Sequence, residues 1–133
     1  MSGLGGDTVG NVVGIGLDAV DVARYRRVLE RTPSIAERTF TPGELAYARR
    51  VADPTQRLAA RFAAKEAVLK SLGAGLGACR FHDIEVVRAD SGEPSLLLRN
   101  AAVDLLAARG ATRVLLTMTH TELTAQAIVL ALA

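Results

Sequence analysis

The chain reads as a compact α+β domain, and three features of its sequence say so. One is an Ala- and Leu-rich run from about Gln56 to Leu72 with no internal Gly or Pro, the composition of a strong helix. Another is a set of apolar segments that read as strands, at Asn11–Leu17, Asp83–Ala89, Ser95–Arg99, Arg113–Thr121 and Thr124–Leu132. The third is their order: a strand, three helices with the long one last, two strands, a helix and two strands. Strands that do not alternate with helices point to α+β.

Composition sets the outer limits. The 133 residues suffice for one domain around one core. Half are hydrophobic but only 4% are aromatic, so that core is aliphatic. A net charge of +2 argues against bulk nucleic-acid binding and leaves room for local basic patches. The single cysteine, Cys79, excludes an intrachain disulfide framework and suits a reducing compartment; it is either a small packing residue or a nucleophile needing a His beside it. No apolar run of about 18 residues is present to span a membrane. Met1 to Gly10 is Gly-rich, lacks the basic start and apolar middle of a signal peptide, and reads as a flexible lead-in to a domain at 11–133. The expectation is a soluble cytoplasmic protein.

In the first strand, period two places Val13, Ile15 and Leu17 on one face and Gly14, Gly16 and Asp18 on the other. The second face is bare backbone leading to a carboxylate, with room for something bulky alongside. Asp18 either caps the next helix or faces into a site. Asp21 to Arg31 is a helix whose apolar stripe is Val22, Tyr25, Val28 and Leu29. Arg24, Arg26, Arg27 and Arg31 make it basic, for water or for an acidic partner. Thr32-Pro33 ends it, and a short amphipathic piece reaches Arg38. Phe40-Thr41-Pro42-Gly43-Glu44 then spells a helix start: Thr41 caps, Pro42 takes the first position, and Glu44 completes a capping box. Glu44 could also stand behind a site as a supporting group. This helix continues to about Val51, and Ala52-Asp53-Pro54 turns into the long one.

The long helix carries its charges in an unusual way. At about 100° per residue, Arg61 and Lys65 share one side and Glu66 and Lys70 another, with Leu58, Phe62 and Leu69 between and Ala around most of the rest. No broad solvated face is left over. The Gly73 to Gly77 loop that follows is either a helix stop or a set of N–H groups for phosphate. Asp90-Ser-Gly-Glu-Pro94 turns a hairpin, Ala101 to Arg109 is a helix closed by Gly110, and the last two strands meet in a tight turn near Glu122. On the penultimate strand Leu116, Met118 and His120 share a face, while Leu115, Thr117 and Thr119 share the other.

Two carboxylates, Asp18 and Glu66, need partners, since an unpaired buried carboxylate is costly. Lys65 and Lys70 could supply the charge directly. Alternatively, two carboxylates with water and phosphate oxygens hold Mg²⁺, and Lys70, Arg61, the glycine loop and His120 would meet phosphate. Metal-assisted phosphate chemistry on a nucleotide-like substrate is as far as the residues themselves lead.

Four segments, taken together, resemble a known family: Gly14-Ile-Gly16-Leu-Asp18, Phe40-Thr41-Pro-Gly-Glu44, Arg61-Phe-Ala-Ala-Lys65-Glu66-Ala-Val-Leu-Lys70 and Thr117-Met-Thr119-His120-Thr121. Their order and spacing are similar to those of holo-acyl-carrier-protein synthases, small trimeric 4′-phosphopantetheinyl transferases, over about Val12 to Leu132. The resemblance implies a transferase fold with an antiparallel sheet packed on the long central helix. It implies transfer of 4′-phosphopantetheine from coenzyme A to a serine of an acyl carrier protein of fatty-acid or polyketide synthesis, with release of adenosine 3′,5′-bisphosphate. Asp18 and Glu66 fall on the family's Mg²⁺ ligands, and Lys70 on a phosphate contact beside the metal. Arg61, Gly73, Gly75, His120 and Thr121 fall on the coenzyme A site, and Arg24 with Arg27 on the helix that engages the acidic carrier protein. The family's sites form between neighbouring subunits of a homotrimer. Thr117 and Thr119 stand where serines are frequent, and Arg80-Phe-His82 matches no family role. The rival readings are a non-catalytic binder of coenzyme A or carrier protein, and a metal-dependent hydrolase of the coenzyme A pyrophosphate.

Overall fold

The computed structural model describes residues 11–133; the expected lead-in, Met1 to Gly10, lies outside the described residues. Strand β1 (Val12–Asp21) leads into helices α1 (Val22–Arg31), α2 (Ser34–Thr39), α3 (Pro42–Ala48) and the long α4 (Thr55–Ser71). A short 3-10 turn (Phe81–Asp83) opens the hairpin β2 (Ile84–Arg88) and β3 (Pro94–Leu98), followed by α5 (Ala101–Ala108), β4 (Arg113–His120) and β5 (Thr124–Leu132).

The strands form two antiparallel sheets where one was expected: β1-β5-β4, with β5 in the middle, and the separate pair β2-β3. The chain leaves β3 through α5 before entering β4, so the hairpin and the larger sheet share no ladder among the described residues.

Helix α4 lies directly on β1, and the glycines explain how. A Cβ on Gly14 would collide with the Ser71 carbonyl, and one on Gly16 with the Ala67 carbonyl. The room beside the glycine face is therefore filled by helix backbone. Ala63, Ala64, Ala67 and Val68 are wholly buried, as are Val129 and Ala131 on β5. A second cluster, with Val22, Phe40, Leu58 and Ala59, seats α1 to α3 against the other end of α4. Burying a side chain such as Phe40 is worth roughly 1.5–3 kcal/mol, far more than an alanine, so α4 gains from its alanines mainly close approach.

Two boundaries in particular differ from the sequence reading. Strand β1 runs on through Asp18 to Asp21, and it is Asp21 that caps α1, accepting from the Arg24 amide at 2.9 Å. Asp18 is thereby freed from capping. Helix α3 ends at Ala48, because the Arg49 and Arg50 amides turn back to the Leu45 and Tyr47 carbonyls. Its start matches expectation: Thr41 and Glu44 form the reciprocal capping box.

Candidate functional site

Asp18, Glu66 and Lys70 converge where β1 crosses α4. Lys70 Nζ lies 2.9 Å from Asp18 Oδ1 and donates to the Leu17 carbonyl at 3.0 Å. Glu66 sits one turn before Lys70, half-buried. Burial pushes its carboxyl above the ordinary value and the Asp18 charge pushes it further, with Lys70 pulling the other way. Two carboxylates thus share one part-exposed lysine, an arrangement in which a further cation would be favoured.

Lys65 takes no part in this cluster. It is fully buried on another side of α4, 2.8 Å from Glu44 Oε1, and donates to the carbonyls of Phe81 (2.9 Å) and Ile84. Burial pushes its amine down, and Glu44 opposes that. Glu44 also accepts from the amides of Thr41 (2.9 Å) and Val86 (2.8 Å), so it is the buried partner of Lys65 and ties α3 to β2. The Arg80-Phe81-His82 segment gains a role here. Phe81 supplies a lysine acceptor and packs its ring 5.6 Å from Phe62, while His82 Nε2 binds the Glu37 carbonyl at 2.6 Å.

Arg61 and His120 belong to a different place, a cavity of about 600 Å³ that they line with Tyr47, Arg57, Arg88 and Thr119. A second cavity of about 550 Å³ shares Tyr47, Arg61 and Arg88. Arg61 is only 2% exposed; its Nη1 donates to the Arg57 carbonyl at 3.3 Å and its buried Nε has no partner. Burial works against its charge, and Arg88 and Arg57 add to that, while Tyr47 and Glu44 oppose it. Arg61 and Glu66 are five residues apart on α4, so they point about 140° apart around the helix. One chain holds the acidic cluster and the arginine cavity on separate sides.

The remaining candidates are scattered. Gly73 and Gly75 follow α4; Gly73 has φ +66° and abuts Arg109, Gly75 faces open space, and neither lines the two arginine cavities. The Thr121 hydroxyl accepts from the Leu123 and Thr124 amides at 3.2 Å and holds the β4–β5 turn. Arg24 and Arg27 are exposed on α1, whereas Arg26 is paired with Asp53 at 3.0 Å. Burial, with the charge of Asp83, pushes the Cys79 thiol up, which leaves it a poor nucleophile. Tyr47, Arg57 and Arg88 were not anticipated; the one available signal was Arg57, a turn before Arg61 on the same helix.

The donor set suits Mg²⁺. No group of three or more His, Cys, Asp and Glu occurs among the described residues, and Mg²⁺ is commonly held by one or two carboxylates with water and substrate phosphate completing the shell.

The model of the 4′-phosphopantetheinyl transferase superfamily matches residues 14–125. A holo-[acyl-carrier-protein] synthase of Clavibacter sepedonicus is 50% identical over 107 residues, 80% of this chain and 84% of that protein. One from Frankia casuarinae is 47% identical over 120 residues, covering 90% and 97%. Among solved structures, the holo-[acyl-carrier-protein] synthase of Neisseria meningitidis superposes with a TM-score of 0.82 at 36% identity, covering 91% of this chain and 98% of that one. The Bacillus anthracis synthase, in complex with CoA (3′,5′-ADP), gives 0.77 at 32% identity, covering 92% and 97%. The chain belongs to the holo-[acyl-carrier-protein] synthase family of 4′-phosphopantetheinyl transferases.

Proposed function

We propose that the chain transfers 4′-phosphopantetheine from coenzyme A to a serine hydroxyl of an apo acyl carrier protein and releases adenosine 3′,5′-bisphosphate. The convergence of Asp18, Glu66 and Lys70 carries this reading, in a chain whose relatives bear that activity as their name. The serine oxygen forms the new bond to the phosphorus that bears the pantetheine. The pyrophosphate bond breaks, and its electrons leave with the nucleotide phosphate. The serine proton passes to a carboxylate of the cluster or to water.

Asp18 and Glu66 would hold Mg²⁺, which supplies neutralisation of the pyrophosphate charge. Lys70, already beside Asp18, adds a positive charge to the same phosphates. Arg61 and His120 receive the nucleotide end. Gly73 and Gly75 follow Lys70 on the acidic-cluster side, with the Gly73 amide already donated to the Lys70 carbonyl. Thr121 follows His120 at the β4–β5 turn, and Arg24 and Arg27 dock the acidic carrier protein. The protein works in the cytoplasm, with residues 11–133 as one domain. Among the described residues, no helix is long and apolar enough to cross a membrane.

The site is shared between subunits of a homotrimer. Two observations support this. The acidic cluster and the arginine cavity point apart on α4, so one coenzyme A meets both only if a neighbouring copy brings the second. The outer face of β1-β5-β4 also leaves Ile15 66% and Leu17 55% exposed, with Leu115 and Ile128 beside them, an apolar face suited to a second copy.

Incubation of apo carrier protein with coenzyme A and Mg²⁺ tests the reading by intact mass. One phosphopantetheine should be gained per carrier serine. Release of adenosine 3′,5′-bisphosphate without an acceptor would indicate a hydrolase. Coenzyme A binding with neither transfer nor release would indicate a binder.

A further inference from the structure

We propose that Lys65 and Glu44 are positioning residues: their buried ion pair takes the place of a neighbouring strand along the outer edge of β2, fixes the register of that strand, and so sets Arg88 beside Tyr47 and Arg61. The use of that cavity for coenzyme A rests on the transferase reading; the register device rests on geometry.

Strand β2 has one partner strand, β3, among the described residues. At the ends of their ladder Asp83 accepts from the Arg99 amide at 2.8 Å and Ala89 donates to the Glu93 carbonyl at 3.0 Å. Antiparallel ladders alternate, so residues 83, 85, 87 and 89 turn their backbone groups toward β3, while Ile84 and Val86 turn theirs outward. The Ile84 carbonyl and the Val86 amide thus lie on an open strand edge, yet both residues are buried, and buried backbone groups without partners are costly. Lys65 Nζ donates to the Ile84 carbonyl, and Glu44 Oε2 accepts from the Val86 amide at 2.8 Å. Lys65 and Glu44 are themselves joined at 2.8 Å. Between them they offer β2 the one donor and one acceptor that a residue of a paired strand would offer. Lys65 also donates to the Phe81 carbonyl at 2.9 Å, and Glu44 Oε1 accepts from the Thr41 amide at 2.9 Å, so the pair is held from both sides. Two apolar side chains of similar volume would stabilise a core about as well, but they could not bond a strand edge.

The elements that meet at this pair also build the cavity. Glu44 and Tyr47 are three apart on α3, Arg61 and Lys65 four apart on α4, and Val86 and Arg88 two apart on β2. Each element therefore carries a pinned residue and a cavity residue on one side. The guanidinium carbons of Arg57, Arg61 and Arg88 stand 4.4, 4.3 and 4.9 Å from the centre of the Tyr47 ring. A slip of β2 by one residue would turn Arg88 to the opposite face of the hairpin. Asp18, Glu66 and Lys70, on β1 and another side of α4, would stay where they are.

The test is a double-mutant cycle on the full chain. Lys65→Met combined with Glu44→Gln removes both charges together, so that neither is left buried alone. It should raise KM for coenzyme A about tenfold or more with kcat within about threefold. In an Arg88→Gln background the same change should raise KM by less than about threefold, because the contact it displaces is already gone. Equal factors in the two backgrounds, or a fall in kcat at unchanged KM, would overturn the proposal and leave the pair a structural one. If the combined variant is unfolded by circular dichroism, Glu44→Asp, one methylene shorter, carries the same cycle. In the unsubstituted chain the Val86 amide should exchange with heavy water as slowly as that of Val87, which faces β3; exchange at the rate of an open amide would also overturn the proposal. Calorimetric affinity for coenzyme A repeats the cycle without turnover. Absence of transfer with the cycle as expected would sink only the transferase reading; transfer with equal factors would sink only the register device.

Discussion

Lys70 holds Asp18 at 2.9 Å, across 52 residues of sequence, and in doing so joins the last turn of α4 to the strand beneath it. The lysine side chain is 52% exposed and that of Asp18 17%, so water screens the pair and it is worth about 1 kcal/mol or less to the fold. On the proposed transferase reading, its value lies in chemistry.

Lys70→Met should therefore separate activity from stability. The urea midpoint should correspond to a loss of about 1 kcal/mol or less. Transfer rate should fall by about a hundred- to a thousandfold, the roughly 2.7–4 kcal/mol lost when one preorganised donor to developing charge is removed. Steady-state kinetics with chemical denaturation of the same variant checks both.

Glu44→Ala should do the reverse. It leaves Lys65 charged and unpaired in a fully buried position and also removes the α3 capping box. Breaking a buried pair on one side costs about 3–5 kcal/mol. Urea unfolding should show that loss, and an unchanged midpoint would mean that Lys65 finds other compensation.

Gly16→Ala should prevent folding or cost several kcal/mol, because the new methyl would meet the backbone of Ala67, which has nowhere to move. Gly75→Ala is the control: its site is open and its φ is not positive, so stability should stay within about 0.5 kcal/mol. Soluble yield and thermal midpoint distinguish the two.

Much of this was legible along the chain. The capping box at Thr41, the bare face of β1 and the helical run of α4 are local patterns, and local patterns depend on neighbours in sequence. Asp18 was ambiguous because a carboxylate ending a strand looks the same whether the strand stops or continues; Asp21, three residues on, took the cap. The Lys65–Glu44 pair and the Tyr47 arginines were hidden for a different reason. Each joins separate elements of the fold, and no periodicity within one segment reports which charge will meet which.

Acid should weaken the fold partly through Glu85. Burial alone would raise its carboxyl, but the Thr41 hydroxyl and Arg99 outweigh that and hold it below the ordinary value of 4.5. A carboxylate with a depressed folded-state pKa stabilises above its unfolded value, and the contribution is lost as pH falls through the folded one. Glu85→Gln should therefore lower stability at pH 7 and flatten the decline below about pH 4.5. A parallel decline in both proteins would show that Glu85 carries none of it.

The most direct measurement mixes two inactive variants. Glu66→Gln disables the acidic cluster, and Arg61→Gln disables the arginine cavity while removing a buried charge that has an unpartnered Nε. If each site takes its acidic cluster from one subunit and its arginine cavity from the next, mixed trimers of the two variants should regain transfer at about one quarter of their sites. A mixture as inactive as its parents, with subunit exchange verified by native mass spectrometry, would contradict a site shared between copies.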